Sequence, residues 1–300
     1  ILAMAAWPLA AQNAAAGHSD DPVFREIAEM VESLAEITGL EPLRPVPYER
    51  LNKDQLREYL EQRMKEEVDP KEIALEEKIL KKFGLIPREM DLKSSTLELL
   101  TEQAAAFYDY RRKKLYLVEE HGDAMMRIAL VHELAHALAD QHFDLGTFLD
   151  GVKEEDDASM ARMAVMEGQA SWLMSEYVAR QAGQSILGSD AALSVMARAS
   201  ESEASTYPVF RDSPLYLRVT LLFPYTKGLV FQHRVLENLG QEGFRRIFTA
   251  PPVSTRQILE HGEDLSGVKP KAVKIPPIRA RGYKETASGD LGQLDSGILF

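Results

Sequence analysis

From Ala124 to Leu138 the chain is apolar at nearly every position, and the exceptions are Arg127, His132, Glu133 and His136. A helix that is apolar on almost all sides has to be buried. Two imidazoles and a carboxylate carried on it enter the interior, where unpartnered polar groups are costly. The motif is Val131-His132-Glu133-Leu134-Ala135-His136-Ala137, with the histidines four residues apart. That spacing points both rings to one face of a helix, where they can hold a single zinc ion with Glu133 beside the water that the ion activates.

A catalytic zinc takes three protein ligands and a water, so a third ligand is expected downstream. His142 stands six residues after His136, the spacing of the third ligand in H-E-x-x-H-x-x-G-x-x-H. Ala139 occupies the glycine position of that pattern, and alanine favours continued helix over a turn back. Glu167 is the other candidate, in the apolar stretch Met163-Ala164-Val165-Met166-Glu167-Gly168-Gln169-Ala170-Ser171-Trp172. A helix from about Ala158 to Arg180 would bring it to the metal, with Gly168 and Ala170 permitting close approach to the first helix. Both residues remain open as ligands on this reading.

His132-Glu133-Leu134-Ala135-His136-Ala137-Leu138-Ala139-Asp140 resembles the active-site helix of the gluzincins, the thermolysin-like branch of the zincin metallopeptidases. With Asp140-Gln141-His142-Phe143 and Glu167-Gly168-Gln169-Ala170, the likeness is closest to poorly characterised secreted bacterial metallopeptidase-like proteins. The resemblance implies His132, His136 and Glu167 as ligands of one Zn²⁺ per chain, Glu133 as general base, and a peptide or protein substrate. The interval from His136 to Glu167 departs from the pattern, being longer than in thermolysin itself.

Upstream, Phe107-Tyr108-Asp109-Tyr110 and Lys114-Leu115-Tyr116-Leu117-Val118 flank Arg111-Arg112-Lys113 and predict a β-hairpin. In zincins an edge strand beside the active-site helix pairs with an extended substrate backbone, so Tyr108, Tyr110 and Tyr116 are candidate substrate contacts. Asp140 stands four residues after His136 and is expected to orient an imidazole from behind. An oxyanion donor is sought in Tyr225 and His233, with Phe223-Pro224-Tyr225 expected to end one helix and open another.

The fold expected is α+β and predominantly helical, zincin-like, with a small sheet or edge hairpin beside the active-site helix. Residues 1–20 resemble the remnant of an export signal, which implies an extracytoplasmic protein whose start has been trimmed. Residues 21–100 are expected to form a helical N-terminal subdomain with helices near Val23–Thr38, Lys53–Glu67 and Pro70–Phe83. Residues 101–265 would be the zincin-like catalytic core. Helices are expected there near Asp190–Ser202, Pro214–Leu222, Lys227–Leu239 and Glu242–Phe248. Residues 266–300 read as a C-terminal extension of a chain that continues. A net charge of −12 without a basic block argues against nucleic acid, and no segment predicts a stable membrane span beyond the possible signal. The chain has no cysteine, which excludes disulfides and thiol catalysis. The function expected is zinc-dependent hydrolysis of peptide bonds; the alternative is a catalytically degenerate zincin-fold scaffold that binds a peptide or protein.

Overall fold

The computed structural model describes residues 22–67, 69–118, 123–260, 273, 282 and 287–300, and over them the protein is a predominantly helical α+β fold with one small sheet. Helix α1 (Pro22–Thr38) leads to strand β1 (Tyr48–Leu51) and to helices α2 (Lys53–Glu67), α3 (Pro70–Phe83) and α4 (Leu92–Gln103). Strands β2 (Ala106–Asp109) and β3 (Lys114–Val118) follow, then the histidine-bearing α5 (Asp123–Phe143), the short α6 (Leu145–Asp150) and the long α7 (Asp156–Gln181). The remainder is α8 (Asp190–Ala204), α9 (Pro208–Asp212), α10 (Leu215–Leu239), α11 (Gly243–Thr249), α12 (Thr255–Leu259) and α13 (Gln293–Leu299).

Local signals explain several helix ends. The Asp69 carboxylate accepts from the Lys71 N–H, Pro70 opens α3, and Gly84 closes it at φ 73°, a left-handed conformation that costs glycine little. Ser254 stands at the start of α12 as its residue type predicts, but its side chain makes no capping bond.

The sheet has the order β1-β3-β2, with β1 parallel and β2 antiparallel to the central strand. Val118 donates to the Ala105 carbonyl at 2.9 Å, so residues 105, 107 and 109 exchange hydrogen bonds with β3, while Ala106 and Tyr108 turn their backbone groups outward from the β2 edge. One sheet face carries Phe107 and Tyr116, stacked at 4.9 Å and flanked by Tyr59 of α2. The other face carries Tyr48, Tyr108, Leu115 and Leu117 into the main core with Leu34 of α1 and Leu130, Leu134 and Leu138 of α5. The expected N-terminal subdomain is therefore built partly into the same sheet and core, because β1 and α1 bury their apolar residues there.

Helices α7 and α10 cross where Gly168 meets Gly228. A Cβ on Gly168 would fall on the Gly228 backbone, and one on Gly228 would overlap the Ala164 carbonyl oxygen. Gly168 thus serves the approach of α10, not of α5 as the sequence suggested. Trp172 meets His233 further along, so the two helices run in the same direction. Helix α10 is continuous through Pro224, correcting the expected break. An internal proline costs about 3 kcal/mol, and burial of Phe223, Pro224, Thr226 and Gly228 opposes that cost.

Helix α13 packs on the core through Leu294, whose N–H reaches Thr255 Oγ1 at 3.2 Å. The end of the expected C-terminal extension is thereby ordered onto α12. The expected export segment at residues 1–20 lies outside the described residues. Among those residues no helix is long and apolar enough to cross a membrane.

Replacing Gly228 by Ala drives a methyl into backbone that cannot yield as a side chain would. The expected loss is about 3 kcal/mol, at the upper end of overpacking costs, read as a lower urea midpoint with an unchanged slope. A midpoint equal to wild type would show that the helices do not rely on this contact.

Candidate metal centre

Helix α5 presents His132 and His136 from one face, and α7 brings Glu167 against them. Glu167 Oε2 lies 3.0 Å from His132 Nε2 and 3.2 Å from His136 Nε2, and the two nitrogens are 3.1 Å apart. All three side chains are buried, with residue exposures of 7–9%. Donor atoms about 2.0–2.2 Å from a tetrahedral zinc stand about 3.3–3.6 Å from one another, so this triangle has to open by a few tenths of an ångström to take the ion. Two imidazole nitrogens and one carboxylate oxygen are also the donor types zinc favours. The residues present therefore fit the metal.

Electrostatics divides the two glutamates. Burial pushes the Glu167 carboxyl up, but the adjoining imidazoles outweigh it and hold the group below the usual carboxylate range. Glu133 is pushed up to about 7, chiefly by burial and further by the Glu167 charge, against the opposing pull of His132 and of the Tyr108 N–H. That N–H, turned outward from the β2 edge, donates to Glu133 Oε2 at 2.7 Å. Tyr225 stacks on His132 with ring centroids 5.8 Å apart and planes inclined by 24°. Burial and the charges of Glu167 and Glu133 keep its phenol protonated well above the ordinary range.

No family model, no curated protein and no solved structure matches this chain.

The other sequence candidates fall elsewhere. His142 Nε2 bonds the Glu41 carbonyl at 2.8 Å, at the point where Gln141 clasps the backbone of Leu43 and Arg44. Because Ala139 lets α5 continue to Phe143, six residues of helix carry His142 about 9 Å along the axis from His136 and away from the ligands. Asp140 orients no ligand imidazole through a hydrogen bond of its own; it accepts from the Tyr108 hydroxyl, Lys113 Nζ and the Leu145 N–H. Tyr108 is buried, its hydroxyl committed to Asp140. Tyr116 lies on the sheet face opposite α5, with Phe107 and Tyr59. Tyr110 packs between the two main apolar clusters.

His233 does not join the centre. It is fully buried, and its Nδ1 accepts from Trp172 Nε1 at 3.2 Å. Indole nitrogen only donates, so the proton of the neutral ring sits on Nε2, facing Glu237 at 3.6 Å. Asp190 and Glu237 stand close enough to complete a second ligand group with His233. The Trp172 bond withholds the lone pair that such a metal would need.

Sequence reasoning missed the Tyr108 N–H to Glu133 contact, because backbone direction depends on strand register. It also missed Gly228, whose signal was a lone glycine inside an otherwise helical run.

The Glu133 carboxyl sets a pH dependence in metal-free protein. Its folded value of about 7 lies above the ordinary 4.5. The group is therefore protonated in both states below about pH 4.5, and its ionisation increasingly opposes folding as pH rises through 7. Metal-free Glu133→Gln should exceed wild type by up to about 3 kcal/mol above pH 7, with the gain gone near pH 4.5. Urea denaturation across that range checks it, and a difference that ignores pH would contradict the assignment.

Proposed function

We propose that this protein is a zinc-dependent metallopeptidase with a zincin-like arrangement, in which His132, His136 and Glu167 hold the metal and Glu133 is the general base. The observation that carries the reading is the convergence of three candidate ligand atoms from two helices, within 3.2 Å of one another, beside the Glu133 carboxylate that the Tyr108 N–H holds. A structural zinc site or a binding scaffold has no use for that carboxylate.

Bound zinc would lower the pKa of a water towards about 7 and polarise the scissile carbonyl. Glu133 accepts the proton of the attacking water and passes it to the leaving amine. Tyr225, kept protonated, donates a hydrogen bond to the carbonyl oxygen as negative charge grows there. The outward backbone groups of Ala106 and the Tyr108 carbonyl lie along the β2 edge that meets α5, where an extended peptide can add as a strand. This supports a peptide or protein substrate over a small ester.

Elemental analysis of metal-replete protein should give one zinc per chain for wild type and His142→Ala, and a loss of zinc for Glu167→Ala. Wild type without zinc, or zinc retained by Glu167→Ala and lost by His142→Ala, would overturn the ligand assignment. With zinc bound, Glu133→Gln should cut hydrolysis of a peptide library about 10²- to 10⁴-fold. Wild-type turnover by that variant would remove Glu133 from the mechanism.

A further inference from the structure

Glu133 and Asp140 are seven residues apart on α5, two helical turns, and so share a face. Both grip one residue of the neighbouring strand. The Tyr108 backbone N–H donates to Glu133 at 2.7 Å, and its hydroxyl donates to Asp140 Oδ2 at 2.9 Å. Two turns of helix span about 10 Å, a distance covered by the tyrosine together with the hydrogen bond at each of its ends, so the residue lies along the helix and is pinned at both ends.

The Asp140 end is built to be permanent. Its side chain is fully buried, and Oδ1 accepts from Lys113 Nζ at 2.7 Å and from the Leu145 N–H at 3.0 Å, with the Arg44 guanidinium 3.9 Å from Oδ2. Lys113 reaches it from the β2–β3 turn in a left-handed conformation, φ 54°, uncommon for a residue with a side chain. That turn is itself fixed by the Asp109 carboxylate, which accepts from the Arg111 and Arg112 N–H groups and from the Tyr59 hydroxyl. A one-residue slip of β2 would turn the Tyr108 N–H towards β3 and present Phe107 or Asp109 in its place.

We infer that Tyr108, anchored through its hydroxyl to Asp140, is the positioning residue for the general base: the anchor sets the register of β2 along α5 so that one backbone N–H holds one oxygen of Glu133. This deepens the metallopeptidase reading and rests on it. A glutamate side chain loses rotamer freedom when it is fixed. Here the strand fixes it before substrate arrives, and the N–H favours the ionised form that a base requires. One oxygen stays bound to the strand while the other handles the proton.

The test has a readout independent of turnover. Phe107-Tyr108 is the only Phe-Tyr step in the chain, so carbonyl-¹³C-Phe, ¹⁵N-Tyr labelling isolates the Tyr108 amide as one NMR correlation. Glu133→Gln should move its proton upfield by replacing a charged acceptor. In Tyr108→Phe, which removes only the hydroxyl, Phe-Phe labelling isolates the same amide, and Glu133→Gln should then move it far less. Should Tyr108→Phe fail to fold, the same comparison is made in Asp140→Asn with the original labelling. Equal responses to Glu133→Gln with and without the anchor would overturn the proposal.

In kinetics the Tyr108→Phe variant should retain one zinc and its KM, lose about tenfold in kcat, and cause no further loss in the Glu133→Gln background. A fall confined to KM, or an equal loss in both backgrounds, would count against positioning. If the amide responds as expected while wild type cleaves no peptide, the anchor stands and it is the metallopeptidase reading that fails.

Discussion

A buried carboxylate held between two buried imidazoles is the constraint around which this structure is arranged. An isolated charge in such surroundings would not stay ionised, and Glu167 does so because His132 and His136 stand within 3.2 Å. The two helices that carry these groups must remain in register to a fraction of an ångström. The core around them supplies that: Leu130, Leu134 and Leu138 of α5, Ala170 and Leu173 of α7, and Leu229 of α10 belong to one apolar cluster. The polar centre exists because the apolar packing leaves its donors nowhere else to go.

Helix α10 contributes through close approach. Gly168 and Gly228 bring two backbones into contact, and the same crossing seats Tyr225 against the His132 ring. The stacking tyrosine and Glu167 are thus placed by one feature, the absence of two side chains. Pro224 is carried within this helix without breaking it, and the surface it buries opposes the loss of the backbone bond it forfeits.

The sheet plays an unexpected part. Its β2 edge is partly spent inside the molecule: the Tyr108 N–H is occupied by Glu133 and its hydroxyl by Asp140. Edge strands present unpaired backbone groups that have to be managed. Here one of them is managed by Glu133, which ties the orientation of that carboxylate to the pairing of a strand that touches it in space but lies 25 residues away in sequence.

Residue type and spacing were enough to mark His132, Glu133, His136 and Glu167, because a polar group in an apolar run is conspicuous without coordinates. They were also enough for helix limits set by local chemistry, such as Asp69-Pro70 and Gly84. Whatever depends on which surfaces meet was not legible there. His142 stood as the alternative third ligand until the continued helix carried it to Glu41; Asp140 stood as a support for histidine until the strand claimed it; His233 stood as an oxyanion candidate until burial closed it off beside Trp172. Tyr116 fell on the wrong face because the hairpin pattern does not say which side α5 will cover. The sequence alone determined a buried helix bearing two histidines on one face and a second buried carboxylate that could meet them. Only the tertiary structure decided how Glu133 is held and what stands over His132, because strand register and helix crossing are set by contacts between residues that the chain order keeps far apart.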